Sequence, residues 1–179
     1  FRLNRAAARH GPVLYWMSRE QRAVDNQSLA AALELARERK APCHAAFCLA
    51  PSFPGAALRH YAFMLEGLGQ TARELNDLGI PFHLLEGEPG IQIARLSRDL
   101  NAGGVVTDFD PLRVKRAWQA QAAAALEVEF LEVDSHNIVP CRFISNKQEW
   151  SAFTLRKKFT RLLEHFLHEP EPLPEQTAS

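Results

Sequence analysis

The chain has 179 residues, 46% of them hydrophobic and 23% charged, with 21 basic and 21 acidic side chains. This is the composition of one ordinary globular domain with an appendage, and the charge balance excludes a module that holds DNA by basic excess alone. No apolar run approaches the roughly 20 residues of a membrane span, and the opening "FRLNRAAARHGP" lacks the apolar core of a secretory signal.

The lack of an initiator Met reads as a processed form or a fragment. Cys43, Cys48 and Cys141 form an odd set without C-x-x-C spacing, the pattern of reduced thiols buried as small hydrophobes in a cytoplasmic protein.

"GPVLYWM" (11–17) is a continuous apolar run, as expected of a strand buried on both faces. Asp25 or Asn26 then caps a helix carrying Leu29, Leu33 and Ala36 on one side. "PCHAAFCLAP" (42–51) is a second strand. Leu58, Tyr61, Leu65, Leu68, Ala72 and Leu75 recur at helical steps, and Gly79 closes that helix. "IPFHLLEG" (80–87) is a third strand, followed by a shorter helix on Ile93, Leu96 and Leu100. "GGVVTDF" (103–109) is a fourth strand. Asp110 is expected to cap the next helix, with Pro111 at its first position and Val114, Ala117, Trp118 and Gln121 or Ala122 buried. "VEFLEVDSHN" (128–137) is a fifth strand.

Five alternations of strand and helix with short connections predict an α/β fold: a doubly wound, Rossmann-like, five-stranded parallel sheet. The first strand is expected at the centre beside the fourth, with the topological switch point between them. Residues 1–137 form this domain, and 138–179 form a linker and an amphipathic helix. That helix carries Leu155, Phe159, Leu162, Leu163 and Phe166 on one face and Arg156, Lys157, Lys158 and Arg161 elsewhere, and a Pro/Glu tail ends it. Both faces of the sheet already have helices, so its apolar stripe is expected to meet a following domain or another chain.

In such sheets ligands sit outside the carboxyl ends of the strands, at the switch point. Asp108 and Asp110 stand there, beside "MSREQR" at the end of the first strand. Asp108 is read either as a ligand contact or as a partner for backbone amides or an arginine. The first strand–helix turn has no G-x-G-x-x-G and the chain no G-x-x-x-x-G-K-[ST], which disfavours dinucleotide and P-loop enzymes. Ser18 is not in G-x-S-x-G, Cys48 lies inside a strand, and His44 and His83 are single strand histidines, so no catalytic residue is assigned. His165 and His168 lack a third ligand, and no metal site is assigned. Tyr15, Trp16 and Arg19, Arg59, His60 and Tyr61, Phe109 and Arg113, and Trp150 and Arg156 are aromatic–basic groupings. Together they would let a flat ring stack at the strand ends.

"YWMSREQRAVDNQSLAAALELA", "FCLAPSF…RHYAFMLEGL", "LGIPFHLLEG", "GGVVTDFDPLR" and "VDSHNIVP…SNKQEWSAFTLRKKF" resemble successive blocks of class II DNA photolyases, in that family's order, over about residues 12–163. The resemblance implies an N-terminal α/β domain joined to a larger helical domain. The helical domain binds FAD and a cyclobutane pyrimidine dimer flipped out of UV-damaged DNA, and light-excited reduced FAD splits the dimer by electron transfer. The α/β domain would hold part of an antenna chromophore, a deazaflavin or a folate. Carried onto this sequence, the antenna site would use Met17, Ser18 and Arg19; Phe47, Cys48 and Leu49; and Asp108, Phe109 and Asp110, with the acids accepting hydrogen bonds and Phe109 stacking. The chain stops at Ser179, before any FAD domain, so alone it is expected to be inactive. Its partners would be that missing domain, damaged DNA through the full-length protein, and a second copy through the exposed C-terminal helix; no membrane partner is expected.

Two other readings stand beside this one. One is a non-enzymatic chromophore- or nucleotide-binding module, or a cryptochrome-like light sensor. The other is an enzyme of the wider nucleotide-binding α/β group, which the missing glycine-rich loop opposes.

Overall fold

A computed structural model describes residues 1–169 and 172–176. Five strands, β1 (Val13–Met17), β2 (Cys43–Leu49), β3 (Phe82–Glu86), β4 (Gly104–Asp108) and β5 (Glu129–Val133), form one sheet in the order β3-β2-β1-β4-β5. All pairings are parallel, and β1 lies between β2 and β4. The predicted doubly wound sheet and its switch point are therefore present. Every residue of β1 is buried because both sheet faces and both strand edges are covered, which is why its sequence shows no alternation.

Alternate residues of β1 serve opposite layers. Val13, Tyr15 and Met17 pack with Leu29, Leu33 and Ala36 of α1 (Gln27–Glu38) and with Leu68 and Leu75 of α2 (Leu58–Asp77). Leu14 and Trp16 pack with Ile93 and Ala94 of α3 (Pro89–Asp99), Ala122 of α4 (Arg113–Ala125) and Phe130 of β5. Asn26, not Asp25, caps α1: its Oδ1 accepts the Leu29 amide at 2.9 Å. Asp25 instead takes φ of 48°, the left-handed conformation that Asp tolerates.

Two helices depart from their sequence reading. Of the expected stripe of α2 only Leu68 and Leu75 are buried, joined by Thr71, while Leu58 is 84% exposed and Leu65 is also exposed. Length explains this. Twenty helical residues span about 30 Å, against about 23 Å for the seven of β2, so the first half of α2 projects past the carboxyl edge of the sheet. Helix α4 begins at Arg113, so Asp110 is not its cap and Pro111 lies outside it. Asp110 Oδ1 accepts the Leu112 amide at 3.0 Å in an Asx turn that delays the helix. The buried residues of α4 are Gln119 and Ala122; Val114 and Trp118 are half-buried, and Ala117 and Gln121 are exposed.

Beyond β5 come a short α5 (Cys141–Ile144) and α6 (Ala152–Phe166), capped by the Ser151 hydroxyl. Phe143 packs on Phe166 with ring centroids 5.5 Å apart, yet no residue of α6 is fully buried. The chain then returns to the sheet. Leu173 packs against the α1/α2 layer, and the Gln176 amide hydrogen-bonds both the N–H and the C=O of Cys43, at 3.1 and 2.8 Å. The remaining tail residues, 170–171 and 177–179, lie outside the described residues. All three cysteines are free, but Cys141 is exposed on α5 and not the buried hydrophobe its composition suggested. Among the described residues no helix is long and apolar enough to cross a membrane.

Candidate functional site

Strands β1 and β4 end side by side, with Trp16 paired to Thr107, so residues 17–19 and 108–110 share one end of the molecule. Asp108 is 1% exposed and aims its Oδ2 into the loop after β1. That oxygen accepts the amides of Ser18, Arg19 and Glu20 at 3.1, 2.8 and 2.8 Å. Burial pushes the Asp108 carboxyl up to about 6, against the pull of the three amides, and the Glu20 carboxylate adds a smaller push. Of the two readings left open for Asp108, the structure shows the pairing with backbone amides.

Beside this anchor lies an open-mouthed cavity of about 240 Å³. Its floor is Phe47, Cys48 and Leu49 at the end of β2, followed by Ala50, Phe53 and Ala56 in the next loop. The overhanging turns of α2 supply His60, Tyr61 and Met64, and α4 supplies Lys115 and Trp118. Gln21, from the Asp108-bound loop, completes the wall. The Phe53 and Trp118 rings stand 6.1 Å apart at 57°, and the Lys115 ammonium lies 5.7 and 5.3 Å from their centroids. Lys115 also donates to the Ser18 hydroxyl at 3.1 Å. Burial lowers its pKa, opposed by the charges of Asp110 and Asp108. The Cys48 thiol is pushed up to about 11, chiefly by burial, which makes it a wall and not a nucleophile. A concave site with aromatic walls and a few polar groups suits a planar ring.

The residues proposed from sequence divide into four groups. Phe47, Cys48 and Leu49 line the cavity. Met17 and Ser18 border a narrow cleft beneath it, shared with Phe47, Lys115 and Trp118. Asp108 supports the loop from behind, and Arg19 belongs to that loop through its amide. Phe109 and Asp110 lie outside the cavity lining. The Phe109 ring faces the Arg116 guanidinium at 5.8 Å and borders a separate open groove with Cys141 and Arg142. Asp110 closes its own turn.

Sequence reasoning did not assign Phe53, Met64, Lys115 or Trp118 to the site. Lys115 and Trp118 stand three apart and so share a helix face, the one signal that was available. Among the described residues no group of three or more His, Cys, Asp or Glu side chains could hold a metal ion.

The family model for DNA photolyase matches residues 13–177. The chain is 48% identical over 162 residues to a deoxyribodipyrimidine photo-lyase of Potorous tridactylus, covering 89% of this chain and 30% of that protein. It is 40% identical over 161 residues to the enzyme of that name from Arabidopsis thaliana, covering 89% and 32%. The corresponding figures for Methanothermobacter thermautotrophicus are 35% over 155 residues, 87% and 34%. The chain thus spans about a third of the length of the curated relatives it matches. The crystal structure of a Synechocystis sp. PCC6803 cryptochrome shares the fold, with a TM-score of 0.74 at 16% identity over 92% of this chain and 36% of that one. With the family model covering nearly all of the sheet, its helices and the tail, this chain belongs to the DNA photolyase family.

Proposed function

We propose that this chain is the N-terminal α/β part of a class II deoxyribodipyrimidine photolyase, and that the cavity at the carboxyl edge of its sheet holds a planar antenna chromophore, a deazaflavin or a folate. The observation that carries the reading is the placement of Phe53, Trp118 and Lys115 around an apolar recess at the switch point. An antenna bound there absorbs light and passes excitation on. This chain's own residues bind and orient the ring: Phe47, Leu49 and Met64 exclude water, Phe53 and Trp118 flank it, and Lys115 and Gln21 set its polar edge.

The remaining two thirds of a protein of the relatives' length would carry FAD, which supplies the electron for dimer splitting, and would contact UV-damaged DNA. The α/β part occupies residues 1–137 in this reading. Residues 138–179 lead toward the flavin-binding part, with the exposed side of α6, including Trp150 at 86% exposure just before it, available to that part or to a second copy. The three free thiols fit a reducing cytoplasm.

The test is pigment capture. The 179-residue chain, expressed in a deazaflavin-making host, should carry a long-wavelength absorbance band that Trp118→Ala and Phe53→Ala each abolish while the fold is kept. Reconstitution with a folate is the parallel arm. A colourless wild-type protein in both arms removes the antenna reading. Added alone to dimer-containing DNA under near-UV light, the chain should leave the dimers intact.

A further inference from the structure

We propose that Asp108 is a built-in ligand for an oxyanion cradle at the switch point, and that by filling it the protein reserves the neighbouring cavity for flat rings whose phosphate, if any, stays outside. The selectivity half rests on the reading of the cavity as a chromophore site.

Ser18, Arg19 and Glu20 point three consecutive amides at one oxygen, at 3.1, 2.8 and 2.8 Å. Successive N–H groups converging on a point form a concavity that takes a phosphate or carboxylate oxygen. The switch point of an open parallel sheet is also where such sheets bind ligands. Here the oxygen belongs to the chain itself. Asp108 is 1% exposed, so an external anion cannot share the cradle. Its other oxygen, Oδ1, is buried with no hydrogen-bond partner among the described residues. The side chain is therefore satisfied on the cradle side alone, unlike most buried carboxylates. The same loop forms cavity wall: Ser18 borders the lower cleft and Gln21 the main recess. A phosphate approaching from the cavity would find the three amides already used, leaving Lys115 as the cation in the lining. A neutral ring needs none of those amides.

The experiment uses the 179-residue chain as wild type, Asp108→Asn and Asp108→Ala, with thermal unfolding followed in inorganic phosphate, formate and matched chloride. Wild type and the Asn variant, whose amide oxygen still fills the cradle, should show no saturable response to the anions beyond the general salt effect. The Ala variant should melt lower by about 5 °C or more, because three buried amides lose their acceptor. It should recover saturably in formate or phosphate and not in chloride. No saturable recovery, or saturable phosphate binding by wild type, overturns the cradle. If the Ala variant is unfolded as purified, refolding decides: recovery in formate alone supports the cradle, and equal failure in formate and chloride overturns it.

Selectivity is read by tryptophan quenching with riboflavin and flavin mononucleotide, which share a ring and differ by a phosphate. In wild type the phosphate should bring no gain in affinity over riboflavin, and tighter binding of the mononucleotide overturns the selectivity. Binding of neither flavin removes the cavity reading and the selectivity with it, while formate recovery still decides the cradle.

Discussion

The ammonium of Lys115 donates to the hydroxyl of Ser18 at 3.1 Å, joining α4 to the loop that follows the central strand. Lys115 makes no ion pair within 4 Å with any described carboxylate. Its partners are Ser18 and the faces of Phe53 and Trp118.

Lys115→Met should therefore leave the melting temperature unchanged or raise it, because a cation held away from water is replaced by an apolar chain of similar length. Affinity for a flat ring should fall about threefold to thirtyfold as the cation–π contribution is lost. Thermal unfolding and tryptophan quenching measure the two effects. A melting temperature lowered by more than about 5 °C would show that the lysine holds the fold together and does not serve the cavity.

The second prediction concerns pH. The Asp108 carboxyl is raised from 3.8 to about 6, so the folded state binds this proton more tightly than the unfolded chain does. For such a group the stabilising contribution is complete below about pH 4 and is lost as pH rises through 6. The loss is on the order of 3 kcal/mol for a shift of about two units. Asp108→Asn has no proton to lose at this site. The stability of the variant relative to wild type should climb between pH 4 and 6 and level off above 7. Urea unfolding of both proteins at several pH values measures it, and a flat difference refutes the shift.

Phe130 is fully buried and stacks on Trp16, with ring centroids 6.0 Å apart and planes 17° from parallel. Phe130→Ala should cost about 3–5 kcal/mol through lost burial and the cavity left behind. The melting temperature should drop on the order of 10 °C. Chemical denaturation gives the free energy directly, and a loss below about 1 kcal/mol would mean that the second layer is not packed as described.

Gly103 offers a test of the amino-terminal segment. A Cβ there would lie 2.3 Å from the Arg9 carbonyl oxygen and 2.8 Å from that of Gly11, both backbone atoms. The Arg9 amide donates to Gly103 and the Gly103 amide donates to Pro12, so the segments cannot part without losing hydrogen bonds. Gly103→Ala should destabilise by about 1–3 kcal/mol. Amide exchange should quicken at Arg9 and Gly103 together; slow exchange at both would sink the close approach.

The sheet was legible in the sequence because each strand is an apolar run and each crossover has a helical period. What the sequence hid was the identity of buried polar residues. Choosing the apolar face of α4 selects Val114 and Ala117, but the helix buries Gln119 and half-buries Lys115. Those polar side chains are tolerated because each finds a distant partner: Gln119 donates to the Asp108 carbonyl at 3.0 Å, and Lys115 to Ser18. Such partners lie 11 and 97 positions away in the chain and leave no local period. The cavity was hidden for the same reason: residues 47–49 are visible as a strand end, but the walls come from α2 and α4. Asp108 was placed correctly at the switch point, while its three amide partners were not specified by composition.

The unequal lengths of α2 and β2 have a thermodynamic consequence. Leu68, Thr71 and Leu75 tie the far half of the helix to the core, whereas Leu58 and Phe63 contribute little buried area to hold the near half. Local opening of that half therefore costs far less than global unfolding. Hydrogen exchange should be faster in the first turns of α2 than at residues 68–75, with the parallel strands beneath unaffected.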